Sequence, residues 1–246
     1  REQVRKGETN LGNLICDALL KETNADVVLT NGGGIRATIK AGDITKGDVL
    51  TVLPFGNYGI TKDVKGSDIL AMLEHGVKDY PATNGGFLHI AGGKYEFDAS
   101  KPVGERIISA TINSQPIDKN KTYTLATNDF TGVGGDGYEM LKNYPIKNEY
   151  SSYDEILMKY INSNNPIPAV ENRVTEISGT TEETQVPTSN NVIVYEVVGG
   201  DTLISIAKKQ LGTNDWQKVY NENKNIIGEN PNLIVVGQKL TLTKAS

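Results

Sequence analysis

Apolar residues recur at helical spacing over Leu11, Leu14, Ile15, Ala18 and Leu19, and Asn10 stands where it can cap the first turn, so the pattern predicts a helix opening there. Asp26–Thr30 is a short apolar run that runs straight into Asn31-Gly32-Gly33-Gly34 and is expected to be a buried strand. Val49–Leu53 has the same look and is expected to be a second strand, stopped by Pro54. A helix capped by Ser67 should run through Val77. Strands are expected over Arg106–Ile112 and Thr122–Thr127, joined by a turn near Asn113–Pro116, and an amphipathic helix over Ser151–Ile161 carries Ile156, Leu157, Tyr160 and Ile161. Further on, Val192–Val198 and Lys239–Thr243 read as strands flanking two amphipathic segments, Thr202–Gln210 and Trp216–Asn223. Mixed α and β elements, then strand, helix, helix, strand, predict an α+β chain in two parts.

Charge places the boundary. Residues 1–175 carry 19 Lys and Arg against 22 Asp and Glu, and residues 193–246 carry six against five. Between them, 176–192 holds three Glu, no basic residue and few bulky apolar ones, so it is expected to be a flexible linker. The domains are therefore set at 1–175 and 193–246. Neither is strongly basic, so the footprint of a duplex nucleic-acid binder is absent. No apolar run approaches the roughly 18 residues that a membrane span needs. A single cysteine, Cys16, allows no intrachain disulfide. Two histidines, His75 and His89, are a poor start for a transition-metal site and are expected to be structural or surface residues, so no metal is assigned here. Position 1 is Arg, and the chain is expected to be a piece of a longer protein.

Four segments of the larger domain carry chemistry. In Asn31-Gly-Gly-Gly-Ile-Arg36, glycines such as Gly33 let backbone approach a ligand closely, and Arg36 offers a planar fork of donors for a phosphate. Leu53-Pro-Phe55-Gly56 lifts an aromatic ring into a loop. Asn128-Asp-Phe130-Thr-Gly-Val-Gly-Gly-Asp136-Gly137 contains a G-x-G-x-x-G, but no crossover helix and no acidic strand end follow, so a dinucleotide fold is rejected. That segment instead offers an aromatic ring and a carboxylate on one glycine-rich loop. Arg5, ahead of the first helix, is a second candidate phosphate partner. Each feature alone is also what a tight turn or a solvated side chain would give. Together they hold two rings, two guanidiniums, an amide and a carboxylate, which suffices to grasp a nucleoside monophosphate.

These segments, with Asn10-Leu-Gly-Asn-Leu-Ile-Cys-Asp-Ala18, resemble the C-terminal domain of the 5′-nucleotidase family over about residues 1–175. The resemblance implies a mixed α/β fold, a base held between Phe55 and Phe130, ribose hydroxyls on Asp136, base contact by Asn31 with Gly33 beside it, and phosphate near Arg5 and Arg36. It implies hydrolysis by two divalent metal ions in a preceding metallophosphatase-like domain, so this chain alone is expected to bind nucleotide weakly and to hydrolyse nothing. Substrate recognition for a 2′,3′-cyclic-nucleotide phosphodiesterase/3′-nucleotidase, or a stand-alone nucleotide-binding module, are the alternatives.

Tyr195-Glu-Val-Val-Gly-Gly-Asp201-Thr202-Leu203, Trp216, Asn221, Asn223 and Asn230-Pro231-Asn232-Leu233-Ile234-x-x-Gly237-Gln238 resemble a LysM domain over about residues 193–243. That resemblance implies a βααβ fold whose ligand is the N-acetylglucosamine chain of peptidoglycan or chitin. The implied groove is formed by Gly200, Asp201, Thr202 and Leu203 on one side and by Asn230, Pro231, Asn232, Leu233 and Ile234 on the other. Anchoring to a bacterial cell wall, and so a secreted location, follows as an expectation.

Overall fold

Thr9, not Asn10, caps the first helix: its side chain accepts from the Gly12 N–H at 3.0 Å, and α1 runs Asn10–Thr23 until Asn24 turns left-handed. The computed structural model describes residues 1–177, 192–228, 230–231, 233–235 and 237–243. The chain forms two compact units, Arg1–Thr181 and Glu182–Ser246. Of the expected linker, residues 178–191 lie outside the described residues.

In the larger unit α1 is followed by β1 (Val27–Asn31), α2 (Lys46–Val52), β2 (Tyr58–Lys65), α3 (Gly66–Val77), β3 (Leu88–Ala91), β4 (Gly93–Phe97), β5 (Ile107–Ile112), β6 (Gln115–Pro116), β7 (Thr122–Asn128), α4 (Asp129–Gly132), β8 (Asn148–Ser152), α5 (Tyr153–Asn162) and β9 (Val174–Glu176). One sheet has the order β3-β1-β7-β2-β8 and the other β6-β5-β4-β9. β1 and β7 pair in parallel, Val27 beside Leu125 and Val28 beside Ala126, so both strands end at the same sheet edge. Alternation along β1 sends Val27 and Leu29 to a core with α3 and the second sheet, and Val28 to a core with α1, α2 and α5.

Val49–Leu53 is not a strand. Thr45 and Asp48 form a capping box that starts α2, and Val49, Val52 and Leu53 are buried at helical spacing while Leu50 points outward. Ser67 caps nothing. Lys65 occupies the cap position and Gly66 opens α3, where an added Cβ would lie 2.1 Å from the Asp118 carbonyl oxygen. Ser151 and Ser152 belong to β8, and α5 starts at Tyr153. The turn after β5 leads through Asn113 and Ser114, both with positive φ, into β6 rather than directly to β7, and β5 and β7 lie in different sheets.

Arg173 ties the end of this unit back to its start. Its guanidinium meets both Asp17 oxygens, at 2.6 and 2.9 Å, and reaches the Ile90 carbonyl. Glu8 accepts from the backbone N–H groups of Glu171 and Arg173, and these bonds help hold its carboxyl below the usual carboxylate range against the opposing effect of burial.

The smaller unit contains β10 (Val192–Glu196), α6 (Leu203–Ile206) continued by a π-helical stretch over Ala207–Leu211, α7 (Trp216–Glu222), α8 (Lys224–Ile227) and β11 (Lys239–Thr243). β10 and β11 pair antiparallel, and Leu240 and Leu242 face Val197, Leu203, Ile206 and Val219. Strand, helices, strand is the expected order. The first strand ends two residues early and a short third helix is added. Buried Asn223 bonds the Val219 carbonyl and both backbone groups of Thr241, pinning the helical layer to β11.

Candidate functional site

Chain direction sets the position of the site. Parallel β1 and β7 end together, and the segments that follow them line one cleft. β1 delivers Asn31 and then a 3₁₀ turn over Gly32–Gly34; β7 delivers Asn128 and then α4 with Phe130. Phe55 reaches the same place from the loop after α2, and Asp136 from the glycine loop after α4. Arg5, Asn31, Gly33, Arg36, Phe55, Phe130 and Asp136 all line one cleft of about 930 Å³. Every residue expected to hold a nucleotide is therefore brought together.

Both rings stand out of the core: Phe55 is 60% and Phe130 44% exposed. Large exposed aromatics flanking a polar cleft are surfaces left for something to stack on. Arg36 lies with its guanidinium carbon 5.4 Å from the centre of the Phe55 ring and donates to the Gly33 carbonyl at 3.2 Å. Desolvation, then repulsion from Arg1 and Arg5, lowers the Arg36 pKa. Among the described residues none of these three arginines pairs with a carboxylate. The Arg5 Nε is buried without a partner. Unpaired, mutually repelling guanidiniums call for an anion.

Asp136 sits in the left-handed region, φ 53°, between Gly135 and Gly137. Two contacts hold it, and a third residue braces one of them. Its Oδ2 accepts from Asn31 Nδ2 at 2.7 Å, His75 Nε2 lies 2.8 Å from its carbonyl oxygen, and the next ring, Tyr138, packs edge-on to His75 and bonds the Gly86 carbonyl. His75, expected to be a structural or surface residue, thus supports the loop that carries the carboxylate. Gly33 donates to the Gly85 carbonyl at 2.7 Å, and an added Cβ on Gly33 would lie 3.0 Å from that oxygen, which accounts for glycine there.

Sequence reasoning missed Arg1, Asn57, Gly85 and Asn128. Asn57 and Gly85 line the cleft, and Arg1 acts on Arg36 through charge. A signal was present for Gly85, in the Asn84-Gly85-Gly86 run; Asn128 showed only as the start of the segment that carries an exposed aromatic. His89 is buried, with Nε2 2.9 Å from the Val4 carbonyl, and burial lowers its pKa to about 4. Among the described residues no group of three or more His, Cys, Asp and Glu side chains could hold a metal ion, so the residues present do not fit a metal pair. Among them, too, no helix is long and apolar enough to cross a membrane.

In the smaller unit a groove of about 700 Å³ is lined by Asp201, Thr202, Leu203, Ile204, Trp216, Pro231 and Ile234. Five expected residues line it, and Ile204 and Trp216 are additions. Gly200, with positive φ, and exposed Leu233 flank it without lining it, and Asn230 precedes Pro231; Asn232 lies outside the described residues. Asp201 is already engaged, accepting from the Val198 N–H at 3.0 Å and the Tyr195 hydroxyl at 2.8 Å, bonds that hold its carboxyl below the usual range. Thr202 caps α6, and Leu203 is buried in the core.

Comparison with known proteins gives the larger unit its relatives. Residues 1–143 match the model described as "5'-nucleotidase, C-terminal domain". The chain is 39% identical over 191 residues to the trifunctional nucleotide phosphoesterase protein YfkN of Bacillus subtilis (strain 168), covering 72% of this chain and 13% of that protein. It is 33% identical over 196 residues to a 5′-nucleotidase of Diplobatis ommata, covering 70% of this chain and 34% of that protein. The crystal structure of a 5′-nucleotidase precursor from Thermus thermophilus superposes with a TM-score of 0.66 at 39% identity, over 71% of this chain and 37% of that one. The chain thus spans little more than a third, or less, of these relatives. With the family model matched over more than half of its length, the chain belongs to the 5′-nucleotidase family, through that family's C-terminal domain.

Proposed function

We propose that residues 1–175 are the substrate-recognition part of a 5′-nucleotidase-type phosphohydrolase and that residues 193–246, a LysM-type module, hold it to peptidoglycan. One observation carries the first half: the cleft at the ends of β1 and β7 combines two exposed rings, a carboxylate, an amide and unpaired guanidiniums. A base stacks on Phe55 and Phe130, a contact worth about 1–3 kcal/mol and tolerant of base identity. Asp136 accepts from ribose hydroxyls through the oxygen that Asn31 leaves free. Arg5 and Arg36, with Arg1 beside them, neutralise the phosphate. Nucleotide phosphoesterases and nucleotidases among the relatives support this reading. Bond breaking is assigned to a preceding domain, where two divalent metal ions would polarise the phosphoryl oxygen and activate the attacking water. This chain supplies recognition only.

Calorimetric titration of the 246-residue chain with adenosine 5′-monophosphate tests the reading. Binding that is competed by adenosine and weakened by salt is expected. No heat at millimolar ligand would refute it.

The anchoring half is supported by the strand–helices–strand order and by a groove with a Trp, two Ile and a Pro for acetyl and ring faces. On this reading the protein is secreted and sits at a bacterial cell wall. Co-sedimentation with purified peptidoglycan should be lost when residues 193–246 are deleted, with nucleotide binding unchanged; sedimentation that survives the deletion would remove the anchor.

A further inference from the structure

Two side-chain amides, a backbone N–H and a carboxylate form a chain of hydrogen bonds through the base of the cleft. The Thr131 backbone N–H donates to Asn128 Oδ1 at 2.7 Å, Asn128 Nδ2 donates to Asn31 Oδ1 at 2.9 Å, and Asn31 Nδ2 donates to Asp136 Oδ2 at 2.7 Å. Its direction is fixed at both ends. A backbone N–H can only donate and a carboxylate can only accept, so neither asparagine can turn its amide over without losing a bond at each side. Asn128 is buried, 4% exposed, and its Nδ2 also faces the Thr30 hydroxyl at 3.5 Å, so little of its bonding capacity is unused. It sits at the junction of two ligand-facing groups. Through its oxygen it caps α4, the turn that aims Phe130; through its nitrogen it sets the amide of Asn31.

We propose that Asn128 is a positioning residue for nucleoside recognition: by occupying the Asn31 amide oxygen it makes Asn31 present N–H, never C=O, to Asp136 and to the cleft. This inference rests on the nucleotide-binding reading above. Two consequences follow from the geometry. With one oxygen held by Asn31, Asp136 meets the ribose in a preset orientation instead of ordering on contact, which is where affinity is otherwise lost. And a ligand atom beside Asn31 must be an acceptor, such as a ring nitrogen or carbonyl oxygen of a base.

Asn128→Ser separates the two jobs of the side chain, because serine caps a helix as well as asparagine but is too short to reach Asn31. The expected result is adenosine affinity reduced at least about fivefold in Asn128→Ser. In an Asn31→Ala background the same substitution should change affinity by less than about twofold, since the bond it removes is already gone. Equal losses in both backgrounds, or wild-type affinity in Asn128→Ser, would overturn the proposal. Asn128→Asp is the second variant: it keeps shape and cap but puts an acceptor against the Asn31 oxygen, and the same pattern is expected of it. Side-chain amide NMR separates this proposal from the reading beneath it. The Asn31 NH₂ signals should be widely split and slow to exchange in the free wild type and should collapse toward free-amide values in Asn128→Ser. If adenosine fails to bind the wild type, the nucleotide reading falls; if the Asn31 signals ignore Asn128, the positioning role falls.

Discussion

Acid should unfold the larger unit through a residue that touches no ligand. His89 is fully buried on β3, its Nε2 bonds the Val4 carbonyl, and its Nδ1 has no partner, so a second ring proton would have nowhere to go. Burial dominates and lowers the pKa from 6.5 to about 4, against the opposing pull of the Val4 carbonyl and the charge of Glu8. The unfolded chain therefore takes up a proton first as pH falls, so stability is complete above about 6.5 and is lost on the way down to 4. A change from 6.5 to about 4 is worth about 3 kcal/mol at the acid limit and about 2 kcal/mol at pH 5. Glutamine at this position keeps an N–H for Val4 but does not titrate. Urea unfolding of wild type and His89→Gln, followed at pH 7, 6 and 5, should then differ in slope. Wild type should lose about 2 kcal/mol more than the variant between pH 7 and 5, other groups cancelling in the difference. Trp216, the single tryptophan, lies in the smaller unit, so its fluorescence tracks that unit, while near-ultraviolet dichroism of the tyrosines follows mainly the larger one, which holds nine of the eleven. Parallel pH profiles within about 0.5 kcal/mol would refute a cost of charging His89.

Phe130→Ala should weaken adenosine binding by about 1–3 kcal/mol, roughly 5- to 150-fold, with an unchanged circular dichroism spectrum because the ring is half out of the core; unaltered affinity by calorimetry would take the ring out of the site. Asp17→Ala leaves the Arg173 guanidinium, 14% exposed, without its bidentate partner, and should lower the urea unfolding free energy by about 2 kcal/mol, between the values for surface and buried pairs. A loss below about 0.5 kcal/mol would show that Glu171 and water replace the carboxylate fully.

Elements whose burial follows one period were legible in the sequence. α1 and α5 show their apolar faces plainly, and β1 is a short apolar run ended by glycine. α2 was misread because Val49, Thr51 and Val52 are β-branched, and the deciding signal lay just upstream in Thr45 and Asp48. β2 escaped notice because Lys62 and Asp63 interrupt its pattern; Lys62 is nonetheless buried, with its ammonium on the Leu141 and Tyr144 carbonyls at 2.9 and 2.7 Å. Those partners lie 79 and 82 positions away, and no local pattern announces them. Asn31, Arg36, Phe55, Phe130 and Asp136 could be named because each lies on a short segment rich in glycine or broken by proline. Asn128 and His75 could not, since what they do depends on partners 97 and 61 residues away.

The cluster of Arg1, Arg5 and Arg36 gives the cleft a local excess of positive charge although the chain as a whole carries −5. Small anions will compete for that excess before any nucleotide arrives. Sulfate or phosphate in a purification buffer would then act as a resident tenant, raising the melting temperature and masking affinity at once. Dialysis into a chloride buffer of fixed low ionic strength belongs ahead of every titration, because the same protein assayed in two buffers would give two different proteins' worth of binding constants.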